Sequence, residues 1–214
     1  MFSRKDNQKV YNKVVAMNRL KGMTAYLCGA MDRVEDGGVK WRQYITPKLQ
    51  EIGVGVLDPC DKPSDYGTED QDTRGLINRL KQSNSYDKVS EIMKPICAID
   101  LRMVDIAHFI VMSLDVDSHL CGSYHEASVA IAQKKPVVIM CKQGKDSLPN
   151  WMFGVVPHEM VFSNWSETLE YLHHVNEDED VKHLNRWRFF NFNKVYGNDK
   201  LRIQPEELCK SRGN

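Results

Sequence analysis

The sequence predicts an α/β fold: a five-stranded, mainly parallel sheet in a three-layer sandwich of the flavodoxin-like or Rossmann-like kind. Two observations carry this. Short apolar runs stand at 23–29 (MTAYLCG), 54–59 (VGVLDP), 108–114 (HFIVMSL), 135–141 (KPVVIMC) and 158–163 (HEMVFS). Stretches with apolar residues at helical spacing separate them, and such alternation over about 150 residues favours parallel strands joined by crossover helices.

The elements follow in order. Residues 1–22 are polar and basic with scattered apolar positions and read as an N-terminal arm. The run at 23–29 ends in glycine, as a buried strand does. AMDRVEDGG then leads into a helix over 39–52, with Trp41, Tyr44, Ile45 and Leu49 near helical spacing. VGVLDP ends on an Asp-Pro turn signal. Residues 60–94 are polar; LINRLKQ predicts a helix there, and the rest reads as a lid-like insertion or irregular loop. PICAIDLRMVDIA puts Ile99, Met103, Val104 and Ala107 on one face of a helix over 95–107. Further helices are expected at 123–134 and 164–175, the latter opened by Asn164 and Glu167 as a capping box. The main domain is therefore expected to span 23–175. Beyond it, NEDED, RWRFFNFNKVYG and a polar tail form a C-terminal extension over 176–214, read as a dimer arm or a partly ordered appendage.

Composition narrows the function. Lysine plus arginine (29) balances aspartate plus glutamate (29), so no net field favours nucleic acid or an anionic membrane. No apolar stretch approaches the roughly 20 residues of a membrane span. The six cysteines include no CxxC pair and no spacing that offers four convergent ligands, so no metal site is expected. Cys28 and Cys141 lie in apolar runs, the usage of reduced thiols. MFSRKDNQKVYNK lacks the apolar core of a signal peptide, and a soluble cytoplasmic protein is the expectation. Neither G-x-x-x-x-G-K-[ST] nor G-x-G-x-x-G occurs, so triphosphate hydrolysis and dinucleotide redox chemistry lack their signatures.

In parallel sheets ligands lie beyond the carboxyl ends of the strands, at a topological switch point. That directs attention to GAMDRVEDGG, LDPCD and LDVDSHLCGSYHE. In the first, Gly29, Met31 and Asp32 would line the crevice. Trp41 and Tyr26 would stack on a base or fill the core. In the last, Gly122 would let backbone approach a sugar closely. Ser123-x-x-Glu126 has two readings: a capping box, or a carboxylate that attacks an electron-poor carbon. Asp100 is either on a solvated helix face or a second carboxylate that orients substrate or shuttles a proton.

YLCGAMD, IDL and GSYHEASVAIAQKKPVVIM together resemble the nucleoside 2-deoxyribosyltransferase superfamily, which includes deoxynucleoside monophosphate N-glycosidases and CMP hydrolases. The resemblance spans roughly residues 23–175 and is patchy over 60–94. The family pattern G-[ST]-x-x-E, followed by a small-residue helix and K-P-V, falls on Gly122, Ser123, Glu126 and Lys135-Pro136-Val137. It implies that Glu126 takes the sugar from the base, that Asp100 holds the sugar or relays a proton, and that Tyr26 completes the catalytic set. LPNWMFGV resembles a P-x-N-x-M-type segment that reaches a neighbouring subunit's site. This implies that Asn150 and Met152 bind substrate in a homo-oligomer with shared sites. The implied chemistry is cleavage or transfer at the N-glycosidic bond of a (deoxy)nucleoside or its 5′-monophosphate, through a glutamyl-glycosyl intermediate and without cofactor or metal. Ser123, near a helix start, would meet an anion such as a 5′-phosphate.

Two departures stand out. Leu120 occupies the position six before Glu126 where the family often has aspartate, and Asp115 or Asp117 are the replacements a rearranged loop would offer. Ala107-His108 replaces the family's A-D. Leu120 favours an alternative, a non-catalytic nucleotide-binding or sensing module with the same pocket. A third reading gives the activity to RWRFFNFNKVYG, whose arginines and aromatics suit either single-stranded nucleic acid or packing on a subunit partner.

Overall fold

The structure, a computed structural model, describes residues 18–32, 34–62, 67, 69–177 and 187. Most of the expected N-terminal arm and of the C-terminal extension lies outside them. Five strands form one sheet: β1 (Thr24–Gly29), β2 (Gly55–Leu57), β3 (Phe109–Leu114), β4 (Val137–Cys141) and β5 (Val161–Phe162). Their order is β2-β1-β3-β4-β5 and every neighbouring pair is parallel, as the α/β reading expects. The chain lays β2 on one side of β1 and then crosses to β3 on the other. The order reverses between β1 and β3, which makes a crevice at their carboxyl ends.

The helices are α1 (Val39–Glu51), α2 (Gln71–Gln82), α3 (Tyr86–Ile106), α4 (Cys121–Ala132), α5 (Asn150–Val155) and α6 (Trp165–Glu177). Trp41 of α1 stacks on Trp165 of α6 over one face of the sheet, while α3 and α4 pack together against β1 on the other. Covered on both faces, β4 is apolar and buried throughout, and β3 is too except at Ser113 near its carboxyl end. Ile110, Val111, Met112, Val138 and Ile139 are fully buried, each contributing about 1.5–3 kcal/mol of apolar transfer energy.

Several expected boundaries move. The helix placed at 95–107 begins nine residues earlier, at Tyr86, and carries Pro95 in its interior. The residues before Pro95 supply good helix formers, and packing on α2 and α4 outweighs the ladder bond that proline cannot make. The 60–94 insertion is thus largely helical, with Asp70 capping α2 by accepting from the Thr73 N–H at 2.7 Å. The fifth strand shortens to two residues because His158–Met160 forms a 3-10 turn.

The capping box at Ser123 does not form. Helix α4 begins at Cys121, with Leu120 in the cap position and no side-chain cap. Leu120 is pulled into the core, which places Ser123 and Glu126 inside the helix. The box expected at α6 is present in modified form. Asn164 Oδ1 accepts from Glu167 N–H at 2.9 Å, and Glu167 reaches back to the Ser163 N–H at 3.1 Å.

Both ends of the described chain return to the core. Leu20 is buried and donates its N–H to Asn176 Oδ1 at 3.0 Å. Trp187 lies against Phe109, ring centroids 5.1 Å apart, and donates to the Tyr171 hydroxyl at 3.0 Å. Lys135 closes the carboxyl end of α3, donating to the Val104 carbonyl at 2.6 Å and to that of Asp105.

Candidate active site

The pleat of β1 sends Tyr26 and Cys28 to the same face, toward α4. There they meet Glu126, half-buried in the second turn of that helix. The Tyr26 hydroxyl donates to Glu126 Oε1 at 2.9 Å and the Cys28 thiol to Oε2 at 3.2 Å. Both carboxylate oxygens are therefore held by neutral donors. Burial raises the Glu126 carboxyl above its ordinary range; the two donors oppose that rise and the charge of Asp100 adds to it. Burial, then the charge of Glu126, pushes both the Tyr26 hydroxyl and the Cys28 thiol well above their ordinary values. The cradle thus stays protonated and donating while the carboxylate is ionised.

Asp100 is the second carboxylate. Its position on α3 turns it inward, to 8% exposure, close enough for its charge to act on Glu126 and Tyr26. The solvated-face reading of Asp100 is thereby overturned, because α3 starts early and packs this face against the segment after β2. That segment delivers Lys62, whose ammonium lies 2.7 Å from Asp100 Oδ1 and also donates to the Gly67 carbonyl at 2.7 Å. Burial raises the Asp100 carboxyl and Lys62 pulls it back. Glu69 adds a third acid nearby, raised by burial and then by Asp100. Of the two main carboxylates, one has neutral partners and the other an ammonium. Burial raises both, and the partners that oppose the rise differ: a hydroxyl and a thiol at Glu126, an ammonium at Asp100.

Arg42 holds the carboxyl end of β1 in place. Only 1% exposed, its guanidinium donates to the carbonyls of Gly38 (2.9 Å), Gly29 (3.0 Å) and Leu27 (3.3 Å), and lies 3.4 Å from Asp58. Sequence reasoning passed over it, and over Lys62 and Cys28. A signal for Arg42 existed: it shares the buried face of α1 with Ile45 and Leu49, a charged residue at a core position.

The remaining expected residues divide between several surroundings. Trp41 lies on the opposite face of the sheet from Glu126, stacked on Trp165 with centroids 5.5 Å apart and planes 10° apart. The Arg42 guanidinium sits over its ring at 4.5 Å, so its π-surface is already engaged. The two tryptophans help line a cavity of about 450 Å³ with Ser113, Asp115, Met140 and Lys142. Asp115 is tied there to Lys142 at 2.7 Å and Gln143 at 2.6 Å, and Asp117 also bonds Gln143. Burial works against its ionisation, but those bonds prevail and lower its carboxyl to about 2.

Gly29 sits where the two faces meet, opposite Ser113 of β3. A Cβ on Gly29 would stand 2.8 Å from Trp41 and 3.0 Å from the Ser113 carbonyl. Gly29→Ala is expected to cost about 1–3 kcal/mol, the scale of overpacking. Thermal unfolding measures the cost, and circular dichroism of the coupled indoles reports displacement of Trp41.

Met31 accepts from Arg74 through its carbonyl at 2.8 Å, and Asp32 is exposed beside it. Gly122 is exposed, with open space where a side chain would project. Ser123 is buried, and its carbonyl faces the Cys28 thiol at 3.3 Å. Asn150 is exposed at the start of α5. Met152 lines an apolar groove of about 650 Å³ between α4 and α5.

No family model matches this chain, and no curated protein does. Solved structures with similarity to this chain include three enzymes. A 2-deoxyribosyltransferase from the psychrotolerant bacterium Bacillus psychrosaccharolyticus is 16% identical, with 69% of this chain and 91% of that one covered at a TM-score of 0.49. A 2-deoxyribosyltransferase from Leishmania mexicana is also 16% identical, with 71% and 97% covered at a TM-score of 0.45. A CMP N-glycosidase from Clostridium botulinum is 13% identical, with 70% and 97% covered at a TM-score of 0.38. At such identities the chemistry of the site stands on its own groups.

Proposed function

We propose that this chain cleaves or transfers the N-glycosidic bond of a (deoxy)nucleoside or its 5′-monophosphate, with Glu126 as nucleophile. The supporting observation is the carboxylate of Glu126, held through both oxygens by the neutral donors Tyr26 and Cys28, with the Asp100 carboxyl close by. Neutral donors fix a carboxylate in place without cancelling its charge, which a direct lysine or arginine partner would do. The motif resemblance around Glu126 supplies the substrate class.

The reaction is a double displacement. A Glu126 oxygen bonds to C1′ as the C1′–N bond breaks, and the electron pair leaves with the base. Asp100 orients the sugar or passes a proton to the departing base, a role that suits a carboxyl raised by burial. Water or a second base then attacks C1′ from the opposite side and releases the Glu126 carboxylate. Attack requires ionised Glu126. Because burial lifts its carboxyl above the ordinary 4.5, turnover should rise as pH climbs through that lifted value, with the acid limb above 4.5.

The test is a chromatographic product assay across nucleosides and nucleoside monophosphates, with and without an acceptor base. Free base without acceptor identifies a hydrolase, and a new nucleoside identifies a transferase. Binding of these compounds with neither product would overturn the reading in favour of a sensing module.

A further inference from the structure

The cradle of Glu126 contains a feature that orientation alone does not require. The Cys28 thiol is completely buried and has two acceptors at nearly equal distance, Glu126 Oε2 at 3.2 Å and the Ser123 carbonyl at 3.3 Å. A thiol has one hydrogen to give. An ionised carboxylate is the stronger acceptor and takes it first. Once that carboxyl is neutral, the helix carbonyl on the other side becomes the competitive partner.

We propose that the Cys28 thiol is a two-position donor, turned to Glu126 while the carboxylate is charged and to the Ser123 carbonyl when Glu126 is protonated or esterified to the sugar. The esterified form and the catalytic role rest on the reading of Glu126 as nucleophile; the response to protonation does not. No proton is transferred and no bond to sulfur forms: the S–H rotates about the Cβ–Sγ bond. Burial and the neighbouring Glu126 charge keep the thiol protonated throughout. The other titratable or charged groups coupled to this pair are Tyr26 of β1, Arg42 of α1, and Asp100 and Cys97 of α3.

The arrangement has a use at each half-reaction. A buried donor left without an acceptor is costly, and Ser123 removes that cost when the carboxylate becomes an ester. When water or a second base attacks C1′, the departing carboxylate regains negative charge and the S–H can swing back to meet it. Cys28 is thus a positioning residue that follows the charge of its partner.

The first test needs no substrate. The infrared S–H band of Cys28, isolated by difference against Cys28→Ser, is recorded in the full chain below and above the titration of Glu126, and again in Glu126→Gln. The expected result is a lower-frequency band when Glu126 is ionised, and a weaker-bonded band at low pH and in Glu126→Gln. A band unchanged across all three conditions would falsify the proposal.

The second test is kinetic. Cys28→Ala is expected to lower kcat about tenfold with KM little changed, the scale of one hydrogen bond to a charged group. It should also move the acid limb up by about one pH unit, because a donor that favours ionised Glu126 is lost. Cys28→Ser, which keeps a donor, should recover most of both. Wild-type kcat and acid limb in Cys28→Ala overturn the catalytic role. A band that follows Glu126 in a protein that cleaves no N-glycoside supports the two-position donor and rejects the proposed function.

Discussion

Glu126→Gln is expected to reduce base release by at least about a thousandfold and, at neutral pH, to make the fold more stable. The amide has nearly the shape of the carboxyl and can still accept from Tyr26, but it offers C1′ neither negative charge nor a usable nucleophile. The stability gain follows from burial. The folded-state carboxyl is raised above its unfolded value, so the folded chain holds the proton more tightly. Its contribution is fully present below the ordinary 4.5 and is lost as pH rises through the raised value. Glutamine removes that loss. Its advantage should therefore appear above 4.5 and vanish in acid, with a melting-point rise of roughly 2–4 °C at neutral pH. Thermal melts across pH together with the product assay test both parts. A variant that keeps a tenth of wild-type turnover would reject Glu126 as nucleophile.

Arg42→Met should have the largest effect on folding. The guanidinium satisfies three backbone carbonyls where β1 ends and α1 begins, and it sits beside Asp58 after β2. Methionine fills much of the volume and satisfies none of these groups. Removing one partner from a buried charged network costs about 3–5 kcal/mol, or roughly 10 °C in a chain of this size. Asp58 is already raised by burial, and the loss of Arg42 should raise it further. Adding Asp58→Asn should therefore recover part of the loss, most clearly at neutral pH where the unpaired carboxylate would otherwise be charged. Denaturant titration of the single and double variants measures this. An undiminished midpoint in Arg42→Met would show that the carbonyls find other partners.

The strands were legible because each is a short apolar run between turn residues, and the parallel sheet follows from their alternation with helices. Glu126 and Tyr26 were named from the motif resemblance, and the structure brings their side chains into contact. Pro95 misled, since proline is as common at a helix start as it is rare inside one, and tertiary packing decided between them. Lys62 lay in a segment that reads as a polar loop, and no local pattern indicates that it crosses to Asp100 thirty-eight residues on. Cys28 was recognised only as a buried thiol, although two-residue alternation places it beside Tyr26. Trp41 shows the reverse: the aromatic type suits base stacking, but neighbouring Arg42 and distant Trp165 occupy its ring.

The two donors that grip Glu126 come from alternate residues of one central strand, while Leu27 between them faces the opposite layer. Point substitutions there alter one contact at a time. Deleting or inserting a single residue inverts the frame, sending the hydroxyl or thiol into the tryptophan layer and a hydrocarbon toward the acid. Natural variation and library design should accordingly permit exchanges along this strand yet exclude length changes.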